Sequence, residues 1–267
     1  MNRTPASHSR NGSLLISLLA VVVIGLWVAN LFVGSVSIPP QEVWHILWGE
    51  DAGVESWRYI IMESRLRQAV TALLAGAALA VAGLLLQTVF NNPLAGPSIL
   101  GIDTGASLGV AVVMLASNML NLANGMPGGI AAVGGAFVGA TTIMAVILFF
   151  STFVRDNLML LIIGIMVGYL ASSLISLLNF FATSQQVHAY TMWGLGNLGN
   201  VTLQQLPLFA SLSLAGLFIS ALLVKPLNAM LLGARYAENL GINIKMTRNL
   251  LLLSTGLLTA TVTAYCG

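Results

Sequence analysis

The sequence predicts an all-α, polytopic membrane helical bundle, and three observations carry that expectation. Of 267 residues, 57% are hydrophobic and only 7% are charged, against roughly 25% charged in an ordinary soluble domain. No Asp, Glu, Lys or Arg interrupts residues 11–41, 68–102, 104–154, 157–224 or 249–267. Within those stretches the apolar residues are continuous, without the alternation of a membrane β-barrel. At a mean hydropathy of +0.92 there are too few charges to coat a water-facing surface, so soluble and disordered chains are both excluded.

A helix needs about 20 apolar residues to cross the hydrocarbon core. Turn-forming clusters divide the long gaps at Asn91-Asn92-Pro93 with Gly96-Pro97, at Asn118 to Gly129, and at Thr183 to Pro207. The spans expected from this division are residues 14–34, 67–90, 98–117, 128–153, 158–182, 207–224 and 249–267. Arg3 and Arg10 precede the first apolar run, but no small-residue cleavage site follows it, so it reads as an uncleaved span. A cytoplasmic N-terminus puts Arg3, Arg10, Arg155, Lys225, Arg235, Lys245 and Arg248 inside, and only Arg58, Arg65 and Arg67 outside. The last run reaches Tyr265-Cys266-Gly267 without a polar flank and reads as a chain cut short.

Several function classes lose support at once. A net charge of +2 without any run of like charge argues against nucleic acid as a partner. The single Cys266 and three scattered histidines, His45 and His188 among them, offer neither a disulfide nor zinc spacing, so no metal is expected. No G-x-x-x-x-G-K-[ST] occurs, so the chain has no ATP site of its own. Gly194 to Gly199 fits G-x-G-x-x-G but lacks the flanking strand and helix of a dinucleotide site; it reads as a flexible outer rim with Tyr190 and Trp193 at the interface.

Lipid gives helices no hydrophobic reason to associate, so close packing depends on small residues. Gly135 with Gly139 and Gly164 with Gly168 are GxxxG pairs, and Gly76, Ala80 and Gly83 form a related small face. Downstream of that face Gln87 and Asn91 lie four residues apart on one side of a helix, before Asn92-Pro93-Leu94 and Pro97. Amides at membrane depth need partners or water, so this loop borders either a polar pathway or a plain helix stop. Asp103 is an acid in an apolar stretch, either functional or complementing a helix N-terminus with Thr104.

The stretch from Gly76 to Gly109 resembles the membrane permease family of ABC importers for iron chelates, haem and vitamin B12. The family pattern GAALAxxGxxxQ followed by NPLAxPxxLGxxxGA is matched by Gly76 to Ala80, Gly83, Gln87, Asn92 to Ala95, Pro97, Leu100-Gly101 and Gly105-Ala106. Trp193 with Gly196-Asn197-Leu198, and Gly233 to Gly241, extend the resemblance along essentially the whole chain.

The resemblance implies a permease of about ten spans, paired as a homodimer or with a paralogue. Cytoplasmic ATP-binding subunits hydrolyse ATP for it, and an external substrate-binding protein delivers its cargo. Residues 1–267 would then be a single permease domain lacking its C-terminal spans, in a bacterial plasma membrane. Its cargo would be an iron–siderophore complex, with cobalamin or haem as alternatives, and no cofactor would be bound.

Residues 225–248 match the family's coupling loop, with a short amphipathic helix from Asn228 to Leu240 stopped by Gly241. Gly233, Ala234, Arg235, Ala237, Glu238, Leu240 and Gly241 would contact the ATPase, although the usual acid after the first glycine is replaced by Ala234-Arg235. The alternative is a solvated, positive-inside connection. Arg65-Leu66-Arg67-Gln68 lies where the family often has Arg-Leu-Pro-Arg, so Arg65 and Arg67 would dock the binding protein, or else anchor a span at the interface. An intramembrane enzyme would need paired catalytic groups at one depth, and Asp103, His188 and Cys266 fall on different spans. A channel would lack the coupling-like loop.

Overall fold

The computed structural model describes residues 6–49, 53–116, 128–154 and 156–267, all of them helix, turn or irregular chain without a strand. The expected turn cluster at 118–129 falls largely outside the described residues, as do Arg3 and Arg155. The fold is all-α and polytopic. It divides into two compact units, Met1–Leu73 and Leu74–Gly267.

In the first unit α1 (Ala6–Phe32) leads to a short helix α2 (Pro40–Leu47), and α3 (Glu55–Val89) begins here. Val43 and Ile46 of α2 pack with Ile38 and Ile61, each nearly or fully buried, leaving Trp44 and Trp48 on the open face. From Ile60 to Leu66 the turns of α3 widen to a π-helix, a defect common where a helix serves a special purpose. Here the widened turn carries Arg65, only 6% exposed, which donates to the carbonyls of Leu31 at 3.0 Å, Phe32 at 3.1 Å and Val36. Those carbonyls sit at and just beyond the C-terminal end of α1, where acceptors lack intrahelical partners and the helix dipole favours a cation.

The second unit contains the end of α3 (Glu55–Val89), α4 (Ile102–Leu115), α5 (Gly128–Phe153), α6 (Asn157–Phe181), α7 (Ser184–Gly194), α8 (Leu206–Leu222), α9 (Val224–Leu231), α10 (Ala234–Asn239) and α11 (Ile244–Cys266). Its core helix is α11, buried along most of its length from Thr247 to Cys266. Gly216 of α8 and Gly256 of α11 make room for Leu258 and Met144 respectively, small residues receiving large ones. Tyr265 meets Phe137 and Phe209 edge-on, at centroid distances of 6.0 and 5.5 Å, a favoured geometry for aromatic pairs.

Helices α1, α3, α5, α6 and α11 are long and apolar enough to cross a membrane, and α8 with α9 forms a sixth candidate bent by 51°. The expected span at 98–117 is corrected. Pro97–Leu100 is a 3-10 turn, Gly101 turns left-handed at φ 71°, and among the described residues of this stretch only Ile102–Leu115 is α-helical. Fourteen residues give a rise of about 21 Å, short of the ~30 Å hydrocarbon core.

Two other boundaries differ. The last helix starts at Ile244, not at 249, because Asn243 caps it by accepting the Met246 amide at 2.9 Å. The region expected as outer loop from Thr183 contains α7, started by a capping box in which Thr183 and Gln186 exchange hydrogen bonds. Tyr190 and Trp193, expected at the interface beside the Gly194–Gly199 rim, stack at 6.3 Å and pack against the core. Burial there pushes the Tyr190 hydroxyl above the ordinary phenol pKa.

Candidate functional site

The loop after α3 is built by a left-handed asparagine. Asn91 adopts φ 46°, a conformation Asn tolerates better than most residues. This lets the Asn92 amide donate to the Gln87 carbonyl at 3.0 Å and the Asn91 amide to Thr88 at 3.2 Å, a Schellman cap. The Asn92 side chain then accepts the Leu94 amide at 2.9 Å across Pro93, and the Ala95 amide returns to the Asn92 carbonyl at 3.1 Å. Leu94 is held on the outside of this turn, 82% exposed. Pro97 opens the 3-10 turn that leads to Gly101.

Gln87 on α3 and Asn91 in the turn beyond its end at Val89 are both exposed, but the left-handed Asn91 leaves the helix on which their spacing would have set them on one face. Gly76 and Ala80 share that exposure, and a Cβ on Gly76 or Gly83 would meet nothing within 4 Å. Their expected part in helix packing is therefore not met within this chain. The packed face of α3 is the adjacent row Ala75, Ala78, Ala82, Leu85, Leu86 and Val89, whose alanines already allow close approach.

Gly164 and Gly168 do pack. A Cβ at Gly164 would lie 3.2 Å from the Leu100 Cα, and one at Gly168 would lie 3.4 Å from the Gly101 Cα, so α6 seats the turn before α4. Beside this seat is a cavity of about 340 Å³ bordered by Ser98, Thr104, Tyr169 and Ser172. Asp103 stands in the first turn of α4 and its carboxylate accepts the Thr104 amide at 2.8 Å, complementing the helix start without capping it.

The expected single helix from Asn228 to Leu240 is corrected to two, α9 and α10, broken at Gly233 with φ 111° and ψ 148°. That backbone region is essentially reserved for glycine. The helix stop at Gly241 stands: φ is 80°, the Ile242 amide reaches Ala237 at 3.1 Å and the Gly241 amide reaches Glu238 at 2.9 Å, another Schellman cap. Ala237 is fully buried, whereas Arg235, Glu238 and Leu240 are exposed; the Ala234 side chain lies outside the described residues.

Sequence reasoning missed a polar node joining four helix ends. Arg248, read as the end of the coupling loop at 225–248, is 5% exposed in the second turn of α11. It donates to the carbonyls of Ser151 at 2.6 Å and Val154 at 2.9 Å, at the end of α5, and to Asn157 Oδ1 at 3.1 Å. Asn157 opens α6 and passes its amide on to the Val89 carbonyl of α3 at 2.6 Å. Lys245 donates to Thr152 at 3.1 Å, and Ser151 donates to Asn249 at 2.7 Å. Lys245, Arg248 and Asn249 share one helix face, which was the only sequence signal available.

Arg65 is likewise corrected. Its guanidinium is committed to three carbonyls inside the first unit and is not presented to a partner. Arg67, two residues on, is half-buried.

Residues 19–267 match the FecCD transport family. The chain belongs to this family. This FecCD chain is 31% identical over 255 residues to the hemin transport system permease protein HmuU of Yersinia pestis, covering 94% of the chain and 72% of that protein. It is 30% identical over 244 residues to the vitamin B12 import system permease protein BtuC of Yersinia pestis, covering 91% of the chain and 70% of that protein. A solved inward-facing metal-chelate type ABC transporter matches with a TM-score of 0.78 and 25% identity, over 95% of the FecCD chain and 76% of the solved one.

Proposed function

We propose that this chain is a permease subunit of an ATP-driven importer that moves a ferric siderophore from an external binding protein into the cytoplasm. The permease reading is supported by the match of residues 19–267 to the FecCD transport family, and a ferric chelate as cargo by the likeness to a metal-chelate type ABC transporter. Haem or cobalamin carried by the same mechanism is the second reading, favoured by what those two relatives are named for. ATP chemistry belongs to partner subunits, which dock on the segment from Gly233 to Gly241. A second permease chain completes the passage, and the N-terminus lies in the cytoplasm of a bacterial plasma membrane.

With that orientation the ends of α3 and α5 and the starts of α6 and α11, which the Arg248–Asn157 node holds together, face the cytoplasm. Exposed Gly76, Ala80, Gln87 and Asn91, with half-buried Gly83 among them, border the passage, where small residues let a bulky chelate pass and the two amides replace some of its water. Exposed Arg235 and Glu238 offer the ATP-binding subunit a mixed-charge face, and Arg67 is the remaining arginine of the Arg65–Gln68 stretch for docking the binding protein.

The test is uptake of radiolabelled ferric siderophore, haem and cobalamin into proteoliposomes holding the full-length permease, its ATP-binding subunits and its binding protein. ATP-dependent accumulation of a ferric siderophore is the expected result. Accumulation of haem or cobalamin instead would replace the cargo, and failure to recover any ATP-binding subunit would sink the importer reading.

A further inference from the structure

We infer that Arg248 and Asn157 are positioning residues that carry movement of the Gly233–Gly241 segment to the Asn91–Pro97 loop. This inference rests on the importer reading. Between Gly241 and the start of α11 lie only Ile242, whose amide is tied to Ala237, and Asn243, whose side chain caps α11. A push on α10 therefore reaches the first turns of α11 with little slack. There Arg248 clasps the Ser151 and Val154 carbonyls and Asn157 together, which a planar guanidinium with several fixed donors can do and a lysine cannot.

The second arm is selective. Of the last four carbonyls of α3, Leu86, Gln87 and Thr88 are satisfied by the chain's own turn at Phe90, Asn92 and Asn91. The remaining one, Val89, is taken by Asn157 from another helix. Val89 lies two residues before the left-handed Asn91, so Asn157 grips α3 where the loop begins. The Schellman cap already satisfies this end without Asn157 apart from that one carbonyl, so the bond fastens the loop to α6 and α11 more than it builds the helix.

The test places a cysteine reporter at exposed Leu94 (Leu94→Cys, with Cys266→Ser) in the full-length permease assembled with its ATP-binding subunits in proteoliposomes. Maleimide labelling is compared with and without ATP and vanadate. The parent is expected to change its labelling rate about fivefold, a typical coupling between sites. Asn157→Asp still accepts from Arg248 but cannot donate to Val89. It is expected to abolish the nucleotide response while keeping assembly, thermal stability and ATP hydrolysis. Arg248→Lys, which loses the fork, is expected to behave alike.

A full response in both variants overturns the inference, as does a loss that only follows the amount of assembled complex. A parent that hydrolyses ATP without any change at position 94 also overturns it and leaves the importer reading standing. Absence of any assembled ATP-binding subunit in the parent counts against the importer reading itself.

Discussion

Gly109 and Gly135 bring α4 and α5 into backbone contact. A Cβ on Gly109 would overlap the Gly135 carbonyl oxygen, and one on Gly135 would lie 2.8 Å from the Gly109 carbonyl. Gly105 and Gly139 repeat the contact one turn away, so two GxxxG pairs mesh along the helices. Such an approach compensates for the shortness of α4, which gains its hold from dispersion and close carbonyl contacts over few turns.

Gly109→Val is therefore expected to be among the most damaging substitutions. The obstacle is backbone, which cannot move aside like a side chain, so the cost should reach or exceed about 3 kcal/mol, the top of the usual overpacking range. Gly134→Ala, exposed and with nothing within 4 Å of its Cβ, is the control and should be neutral to within about 0.5 kcal/mol. Thermal unfolding of the detergent-solubilised full-length permease distinguishes them, and equal melting temperatures would refute the backbone contact.

Arg65→Ala is expected to destabilise the first unit by about 1–3 kcal/mol, because the carbonyls of Leu31, Phe32 and Val36 lose a charged donor in a buried place. Its affinity for the binding protein should remain unchanged once the folded fraction is matched. Arg67→Ala should do the opposite, weakening binding with little effect on melting. Surface plasmon resonance on nanodisc-held permease, paired with thermal melts, reads both, and a stable Arg65→Ala protein with weakened binding would reverse the assignment.

At Gly233 a methyl group would meet no neighbour, so the penalty of Gly233→Ala is conformational. A φ of 111° with ψ 148° costs a non-glycine residue about 1–3 kcal/mol. The break between α9 and α10 is expected to shift, lowering recovery of the ATP-binding subunits and uptake together while the membrane helices stay folded. Co-purification yields, measured beside a melting curve, would show undiminished recovery if this junction does not shape the docking face.

Asn91 provides a graded test. Asn91→Gly should preserve the loop, since glycine accepts φ 46° freely. Asn91→Val should cost about 1–2 kcal/mol, because a β-branched residue resists the left-handed region. Transport by the valine variant is expected to fall further than its stability does. Equal transport by both variants would remove the loop's geometry from the mechanism.

Length, charge-free gaps and turn residues determined by themselves that this chain is an all-α membrane bundle, because lipid leaves few ways to satisfy a backbone and each leaves a compositional trace. The same local chemistry marked Asn91 and Gly241 as stops, since a Schellman cap is decided within six residues. What surrounds Arg65 and Arg248 was decided only by tertiary structure. Both looked like loop or interface charges, yet each is buried against carbonyls that another helix leaves open more than 25 residues away in sequence. Gly105 and Gly109 likewise became a packing seam only once α5 lay across them. A sequence displays its donors and its small residues, but which helix end lacks an acceptor's partner, and which backbone comes close enough to need a glycine, depends on how the helices are brought together.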